Sequence, residues 1–347
     1  MREYTIKTIE KIFSYKKIKK LYPINRKQRN FILKSRKTVA NILNGKDKRF
    51  LVICGPCSIH EESSAFEYAQ KLKGVSKSMS QYLYVIMRAY FEKSRTFLGW
   101  KGMLNDPKMD NSYDINSGIS ISRKILIKLL NTKIPLATEF INPIVLNFLE
   151  DLYSWCSIGA RTSESSIHRE MASGIPMPVA FKNSTNGEIK NAVYGMQVAK
   201  KKQKFLGTDK NGRICILSTK GNQNSHLVLR GGEKPNYYSK NIEKVENIFK
   251  KFRLKSKILI DCSHGNSSYN YKNQIKVVKS VLSQIKMGNS SIAGIILESN
   301  LYSGKQKIVK NEKLKYGISI TDSCISFSTT KKILKKLYKF FKNIKSN

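Results

Sequence analysis

Three cations fall within eight residues where an apolar run stops: Arg88, Lys93 and Arg95 follow Tyr82-Leu83-Tyr84-Val85-Ile86-Met87. An arginine fork grips phosphate oxygens two at a time, and lysine adds a point charge, so the stretch reads as a phosphate clamp. Comparable runs end in Glu139, in Gly159-Ala160-Arg161, in Phe181-Lys182-Asn183 and in Leu229-Arg230-Gly231-Gly232. Only 13 of the 64 basic residues are arginine, yet Arg88, Arg95, Arg161 and Arg230 all stand at or just beyond such ends. Chance in a lysine-rich chain does not account for that placing. The set predicts a cavity for a multiply anionic substrate, or for two phosphorylated ones, with glycines that let backbone come close.

A second group could hold a metal. Cys57 lies in GPCSIH (55–60), His264 in DCSHGNSS (261–268), Glu298 ends AGIILE (293–298) and Asp322 closes SITD (319–322). A thiolate, an imidazole and two carboxylates form a mixed soft and hard set that suits Mn, Fe, Co or Zn better than Mg or Ca. His60, His168 and Asp261 compete as ligands. A single buried cysteine is most often a packed hydrophobe, so the inference rests on the four together.

These residues need a scaffold that brings distant loops together. Eight apolar runs of strand length, each ending in polar residues, cover 50–55, 82–88, 135–139, 156–160, 178–183, 226–231, 257–263 and 293–298, with helix-length segments between them. Continuous apolar strands alternating with helices predict a parallel sheet covered on both faces. Eight of them predict an α/β (β/α)8 barrel, whose functional residues gather at the C-terminal ends of the strands. An open doubly wound sheet would collect them at one switch crevice instead. Residues 1–48 form an N-terminal extension, with a helix from Arg29 to Asn44, and the barrel runs over 49–347. A β-hairpin is inserted at 204–219, before the sixth strand, turning at Asp209-Lys210-Asn211-Gly212. Thr330–Lys345 is an amphipathic last helix, with Ile333, Leu337, Phe340, Phe341 and Ile344 on its apolar face.

Composition narrows the class. The formal net charge is +40 over 347 residues, but its lysines are spread along almost the whole chain. No zinc-finger spacing, RNA-recognition signature or arginine-rich helix is present, so specific nucleic-acid binding is not expected. No run of about 18 apolar residues exists, and Met1–Ile6 lacks the apolar core of a signal peptide, so no membrane partner is expected. The six cysteines lie mostly in strand-like runs, as reduced thiols of a cytoplasmic protein would.

The motifs GPCSIH, RAYFEKSRT (88–96) with GWKG (99–102) and NDP (105–107), IGART (158–162) with HRE (168–170), FKN (181–183), LRGG (229–232) with PNY (235–237), DCSHGNSS and SITD occur in unbroken order. Together they closely resemble the class I 3-deoxy-D-arabino-heptulosonate 7-phosphate (DAHP) synthases of bacteria and yeast, from about residue 30 onward. The resemblance implies condensation of phosphoenolpyruvate (PEP) with erythrose 4-phosphate and water to give DAHP and phosphate, the first step of the shikimate route to aromatic amino acids. It implies one divalent transition metal on Cys57, His264, Glu298 and Asp322. It implies PEP on Arg88, Lys93, Glu139, Arg161, Lys182 and Arg230, and the sugar phosphate on Lys93, Ser94, Arg95 and Thr96. Lys93, Arg88 and His264 are the implied catalytic residues, and a homodimer or homotetramer the implied assembly. The nearest rivals are the related 3-deoxyoctulosonate 8-phosphate synthases, which take arabinose 5-phosphate; the KSRT stretch and the long GWKG segment favour the shorter sugar.

The chain also departs from the family pattern. Ser94 stands where proline is usual and Ser184 where glycine is usual. Asn142 stands where many members have Asp, and Arg2 replaces an acidic residue of the N-terminal arm. Ser94 predicts lower affinity for the sugar phosphate, Ser184 a backbone that tolerates a side chain, and Asn142 with Arg2 weak or absent feedback by phenylalanine or tyrosine.

Overall fold

The computed structural model describes residues 10–95, 97–254, 257–309 and 312–346. Arg2 and Thr96, each part of an expectation above, lie outside the described residues. In chain order the strands are β1 (Phe50–Gly55), β2 (Leu83–Arg88), β3 (Leu136–Phe140), β4 (Trp155–Ile158), β5 (Val179–Lys182), the hairpin pair β6 (Lys204–Thr208) and β7 (Ile214–Ser218), then β8 (His226–Leu229), β9 (Ile258–Asp261), β10 (Ile292–Asn300) and the short β11 (Ile325–Ser326). Parallel pairing runs β1-β2-β3-β4-β5-β8-β9-β10. β10 then pairs back onto β1, from Leu51 opposite Gly294 to Gly55 opposite Glu298, which closes the barrel and excludes the open sheet.

Among the described residues, two helices precede β1: α1 (Tyr15–Leu21) and α2 (Arg26–Leu43). One helix follows each barrel strand: α3 (Glu62–Lys77), α4 (Ile115–Asn131), α5 (Pro143–Leu149), α6 (Ser166–Ala172), α7 (Lys190–Lys200), α8 (Ser239–Lys251), α9 (Gln274–Lys286) and α10 (Phe327–Ser346). The strands read as continuous apolar runs because both faces are buried. In β1, Phe50, Val52 and Cys54 join the outer cluster under the helices, while Leu51 and Ile53 join an inner one with Ile86, Ala137, Trp155, Ala180, Val228, Leu259 and Ile296. That is the period of two expected of a pleated strand.

The inner cluster is sealed at the N-terminal end of the strands by α2, whose Val39, Ile42 and Leu43 belong to it. A capping box starts this helix three residues earlier than the sequence pattern shows: Asn25 Oδ1 accepts from Gln28 N, and Gln28 Oε1 accepts from Asn25 N. Beside the plug, Trp155 Nε1 donates to His226 Nε2 at 2.9 Å, so the imidazole proton sits on Nδ1, 3.0 Å from Asn224 O. Burial pushes the His226 pKa down to about 4.

Arg123 ties the segment before β1 to the barrel wall. It forms a bidentate pair with Asp151 at 2.7 and 2.8 Å and donates to Tyr22 O and Phe148 O. The hairpin is held at its tip, where Asp209 Oδ1 accepts from Asn211 N and Arg213 N. Its face bearing Leu206, Ile214 and Ile216 is exposed. The last helix buries Ile333, Leu337 and Phe341, as its pattern requires, but Phe340 is only half-buried and Ile344 is exposed. No helix among the described residues is long and apolar enough to cross a membrane.

Candidate active site

The C-terminal ends of the strands surround a cavity of about 450 Å³. Arg88, Lys93, Arg95, Arg161, Lys182 and Arg230 all line it. Glu139, His264, Glu298 and Asp322 face the same space.

Arg88 ends β2 and is 1% exposed. Its Nε donates to Pro56 O at 3.2 Å, and its Nη2 donates to Glu298 Oε1 at 3.1 Å and Cys57 O at 3.4 Å. The guanidinium lies over the Tyr90 ring, 4.0 Å from its centroid. Nη1 is buried and has no hydrogen-bond partner among the described residues. A buried guanidinium N–H without an acceptor is costly, and an anion in the cavity is the group that offsets the cost.

On the opposite wall, Lys182 Nζ lies 2.7 Å from Glu139 Oε2 and 3.9 Å from Asp261 Oδ2. Burial alone would raise the Glu139 pKa, but Lys182, with Lys93 and Arg88, brings the carboxyl down to about 2. Glu139 needs the space beside β4: a Cβ on Gly159 would stand 2.6 Å from Glu139 Oε1. That glycine is therefore fixed by a side chain of the site.

Arg230 is held from behind by amides. Asn183 Oδ1 accepts from Arg230 N at 2.8 Å, Asn236 Oδ1 accepts from Gly231 N, and Asn266 Oδ1 accepts from Asn236 N. Gly231 has φ +74°, and a Cβ there would strike Asn266 N at 2.4 Å. The loops after β8 and β9 thus interlock backbone against backbone. The three asparagines sit inside the FKN, PNY and HGN stretches, but nothing in their spacing told that they bond one another.

At the floor, Cys57, Glu298 and Asp322 each offer a ligand atom within 4.8 Å of the others. Cys57 Sγ lies 3.5 Å from Asp322 Oδ2 and 3.0 Å from Lys93 Nζ, which donates to it. His264 approaches the group through Nε2, 3.7 Å from Glu298 Oε1, but does not join the close three-residue cluster. Its backbone is left-handed, with φ +53°. Its Nδ1 lies 2.8 Å from Ser263 Oγ and 3.0 Å from Asp261 Oδ2, the latter outside hydrogen-bonding geometry. Burial, then the nearby Glu298 carboxylate, pushes the Cys57 thiol up to about 12. Asp322 is held down at about 2 by Lys93 and His264, against burial. Burial alone would lower the Lys93 pKa, but Cys57, Asp322 and Glu298 together hold it above its usual range. With Cys57 as thiolate, the three donors would carry one negative charge more than Arg88 and Lys93 balance. A divalent transition ion fits that donor set.

The competing residues take other roles. Asp261 Oδ1 accepts from Ser263 N and Oγ, and the residue stands behind His264 and Lys182 as an orienting group. His168 is a strut: Nδ1 meets Ser165 Oγ at 2.8 Å and Nε2 meets Ile141 O at 2.7 Å. His60 is buried in the loop after β1, outside the close cluster. On the rim, Arg95 Nε donates to Trp100 O and Trp100 Nε1 to Asp106 O, ordering the long loop after β2, and Ser94 lines the cavity beside them. Glu92 also lines the cavity, a residue absent from the set named from sequence, and burial raises its pKa to about 8.

Residues 22–335 match the model of the DAHP synthetase I family. The chain is 44% identical over 322 residues to the Tyr-sensitive phospho-2-dehydro-3-deoxyheptonate aldolase of Escherichia coli K12, covering 92% of this chain and 90% of that protein. It is 43% identical over 316 residues to the Trp-sensitive enzyme of the same strain, covering 91% of each. The solved phospho-2-dehydro-3-deoxyheptonate aldolase of Francisella tularensis SCHU S4 superimposes with a TM-score of 0.95 at 42% identity, over 97% of this chain and 99% of that one.

Proposed function

The chain belongs to the DAHP synthetase I family, and on that premise we propose how its barrel mouth condenses PEP with erythrose 4-phosphate and water to give DAHP and phosphate. The observation that carries the reading is the six-cation cavity above a floor of one thiol and two carboxylates.

Arg88, Arg161, Lys182 and Arg230 hold the carboxylate and phosphate of PEP, with Glu139 fixing the Lys182 ammonium. Arg95 and the Ser94 segment hold the sugar phosphate, and Thr96 belongs to the same segment. Bound so, PEP C3 faces the aldehyde carbon, which turns an encounter of two anions into a positioned reaction. Cys57, His264, Glu298 and Asp322 would hold the metal, which supplies Lewis-acid polarisation of the aldehyde when bound. Lys93 is charged and sits at the floor, so it donates a proton to the aldehyde oxygen as the C–C bond forms. Water then adds at the former PEP C2, and the C–O bond to phosphate breaks. The water oxygen stays as the ketone, one of its protons restores the Lys93 ammonium, and the other leaves on the phosphate, which departs with the enol oxygen. Mn, Fe, Co and Zn are the candidate ions. The expected assembly is a homodimer or homotetramer, supported by the exposed apolar face of the hairpin.

Phosphate release from PEP tests this reading. It is expected only when erythrose 4-phosphate is present, to vanish after EDTA and to return on metal add-back. Equal or faster turnover with arabinose 5-phosphate would move the chain to the eight-carbon chemistry instead. In the same assay, micromolar phenylalanine or tyrosine is expected to inhibit weakly or not at all.

A further inference from the structure

Behind the floor lies a second space. It is a chamber of about 100 Å³ that shares His264, Glu298 and Asp322 with the main cavity. Its remaining walls are Ser263, Ser267, Tyr269, Tyr271, Lys305 and Ser323. Tyr269 and Lys305 are exposed, so the chamber reaches the surface beside the main mouth. Tyr269 lines both spaces, with its OH 3.5 Å from Arg230 Nη2, and so stands between them. Ser268 and Tyr269 are consecutive left-handed residues, φ +51° and +56°, a conformation that disfavours bulky side chains.

The two spaces differ in charge. The main cavity presents six cations to anything that enters it. The chamber presents one, Lys305, among hydroxyl groups, and leads to the two carboxylates Glu298 and Asp322. The six cations of the main cavity outnumber the carboxylates of Glu139, Glu298 and Asp322, so a divalent cation descending it would meet net like charge in a space of restricted dielectric. Through the chamber it meets hydroxyl oxygens that replace part of its water shell and then its ligands. With both substrates bound, the main cavity is also the one that is filled.

We propose that this side chamber is the door through which the metal ion reaches and leaves Glu298, Asp322 and His264, separate from the path the anionic substrates take. The proposal rests on the metal reading above. It assigns Lys305 and Ser323 to ion traffic, a task apart from the chemistry.

Co(II) exchange tests it. The metal-free full chain is mixed with Co(II), and loading is followed by the visible absorbance of cobalt bound to thiolate. Stripping of the loaded protein is followed with excess EDTA. Lys305→Glu is expected to speed loading about five-fold at low salt, an advantage that disappears at 0.5 M salt. Ser323→Leu is expected to slow loading and stripping by the same factor, about ten-fold, leaving the Co(II) Kd unchanged, as narrowing a path requires. Saturating PEP is expected to leave the loading rate of the parent unaltered. Rates for both variants within two-fold of the parent, with PEP blocking loading, would overturn the door while leaving the metal reading intact. Absence of thiolate-bound Co(II) in the parent would overturn both. If Ser323→Leu fails to fold, the exposed Lys305→Glu still decides.

Discussion

At the N-terminal end of the barrel, Leu51, Ile53, Ile86, Val228 and Leu259 close on Val39, Ile42 and Leu43 of α2, in a cluster of buried apolar side chains. At the other end, the barrel strands deliver Arg88, Glu139, Lys182, Arg230 and Glu298, nearly as deeply buried and all charged. Burying ion pairs is seldom a net gain in stability, because desolvation offsets their attraction. Burying Leu, Ile and Trp is a gain of about 1.5–3 kcal/mol per side chain. The barrel therefore concentrates its stability at the plug and keeps its unbalanced charge at the mouth, where ligands complete it.

Separating the two ends by mutation is the strongest test of that division. Lys93→Met should reduce turnover by at least about 10³-fold, roughly 4 kcal/mol of barrier, while the melting temperature holds or rises. Steady-state kinetics beside calorimetry reads both. A large fall in melting temperature with near-normal turnover would reverse the assignment.

Trp155→Ala should do the opposite. Emptying the plug of its largest side chain should cost about 3–5 kcal/mol of stability, read by urea unfolding, with the KM for PEP unchanged in the protein that remains folded. A raised KM at unchanged stability would show that the two ends are not independent.

Protons make a finer version of the same comparison. Glu92, at the mouth, has its folded pKa raised to about 8. The folded state then binds a proton that the unfolded chain releases at ordinary carboxyl pH, so this contribution is full in acid and is lost as pH rises through about 8. His226, at the plug, has its folded pKa lowered to about 4. Its contribution is full above the ordinary imidazole pKa and is lost as pH falls through about 4. Relative to the parent, Glu92→Gln should gain stability between pH 6 and pH 9, on the order of 2 kcal/mol. His226→Gln should gain relative stability between pH 7 and pH 4.5. Denaturation series at those pH values check both, and parallel curves for parent and variant would remove the corresponding group from the account.

Much of this arrangement was legible beforehand, for physical reasons. Strands buried on both faces leave apolar runs that need no partner to recognise, so the eight barrel strands and the hairpin were placed within a few residues. The cations at the strand ends stood out because arginine is scarce. Helix α1 was not seen: YKKIKKL offers two buried positions, Tyr15 and Ile18, too few to set a period. The start of α2 was missed because its capping box, Asn25 with Gln28, reads as plain polar sequence until the two side chains are seen to bond. Residue type alone left His168 as a competitor to His264 in the ligand set. What separates them is position: His168 is spent on Ser165 and Ile141, whereas His264 is turned by a left-handed backbone toward Glu298. The proton on Glu92 follows from burial alone, which one-dimensional spacing does not report.

The plug also has a history during synthesis. Val39 leaves the ribosome long before Ile296, the last strand residue of its socket, and at about 5–20 residues per second the gap of about 250 residues lasts on the order of tens of seconds. Through that interval the socket of α2 is incomplete, and its apolar stripe is expected to pack provisionally on the early strands until β10 zips against β1.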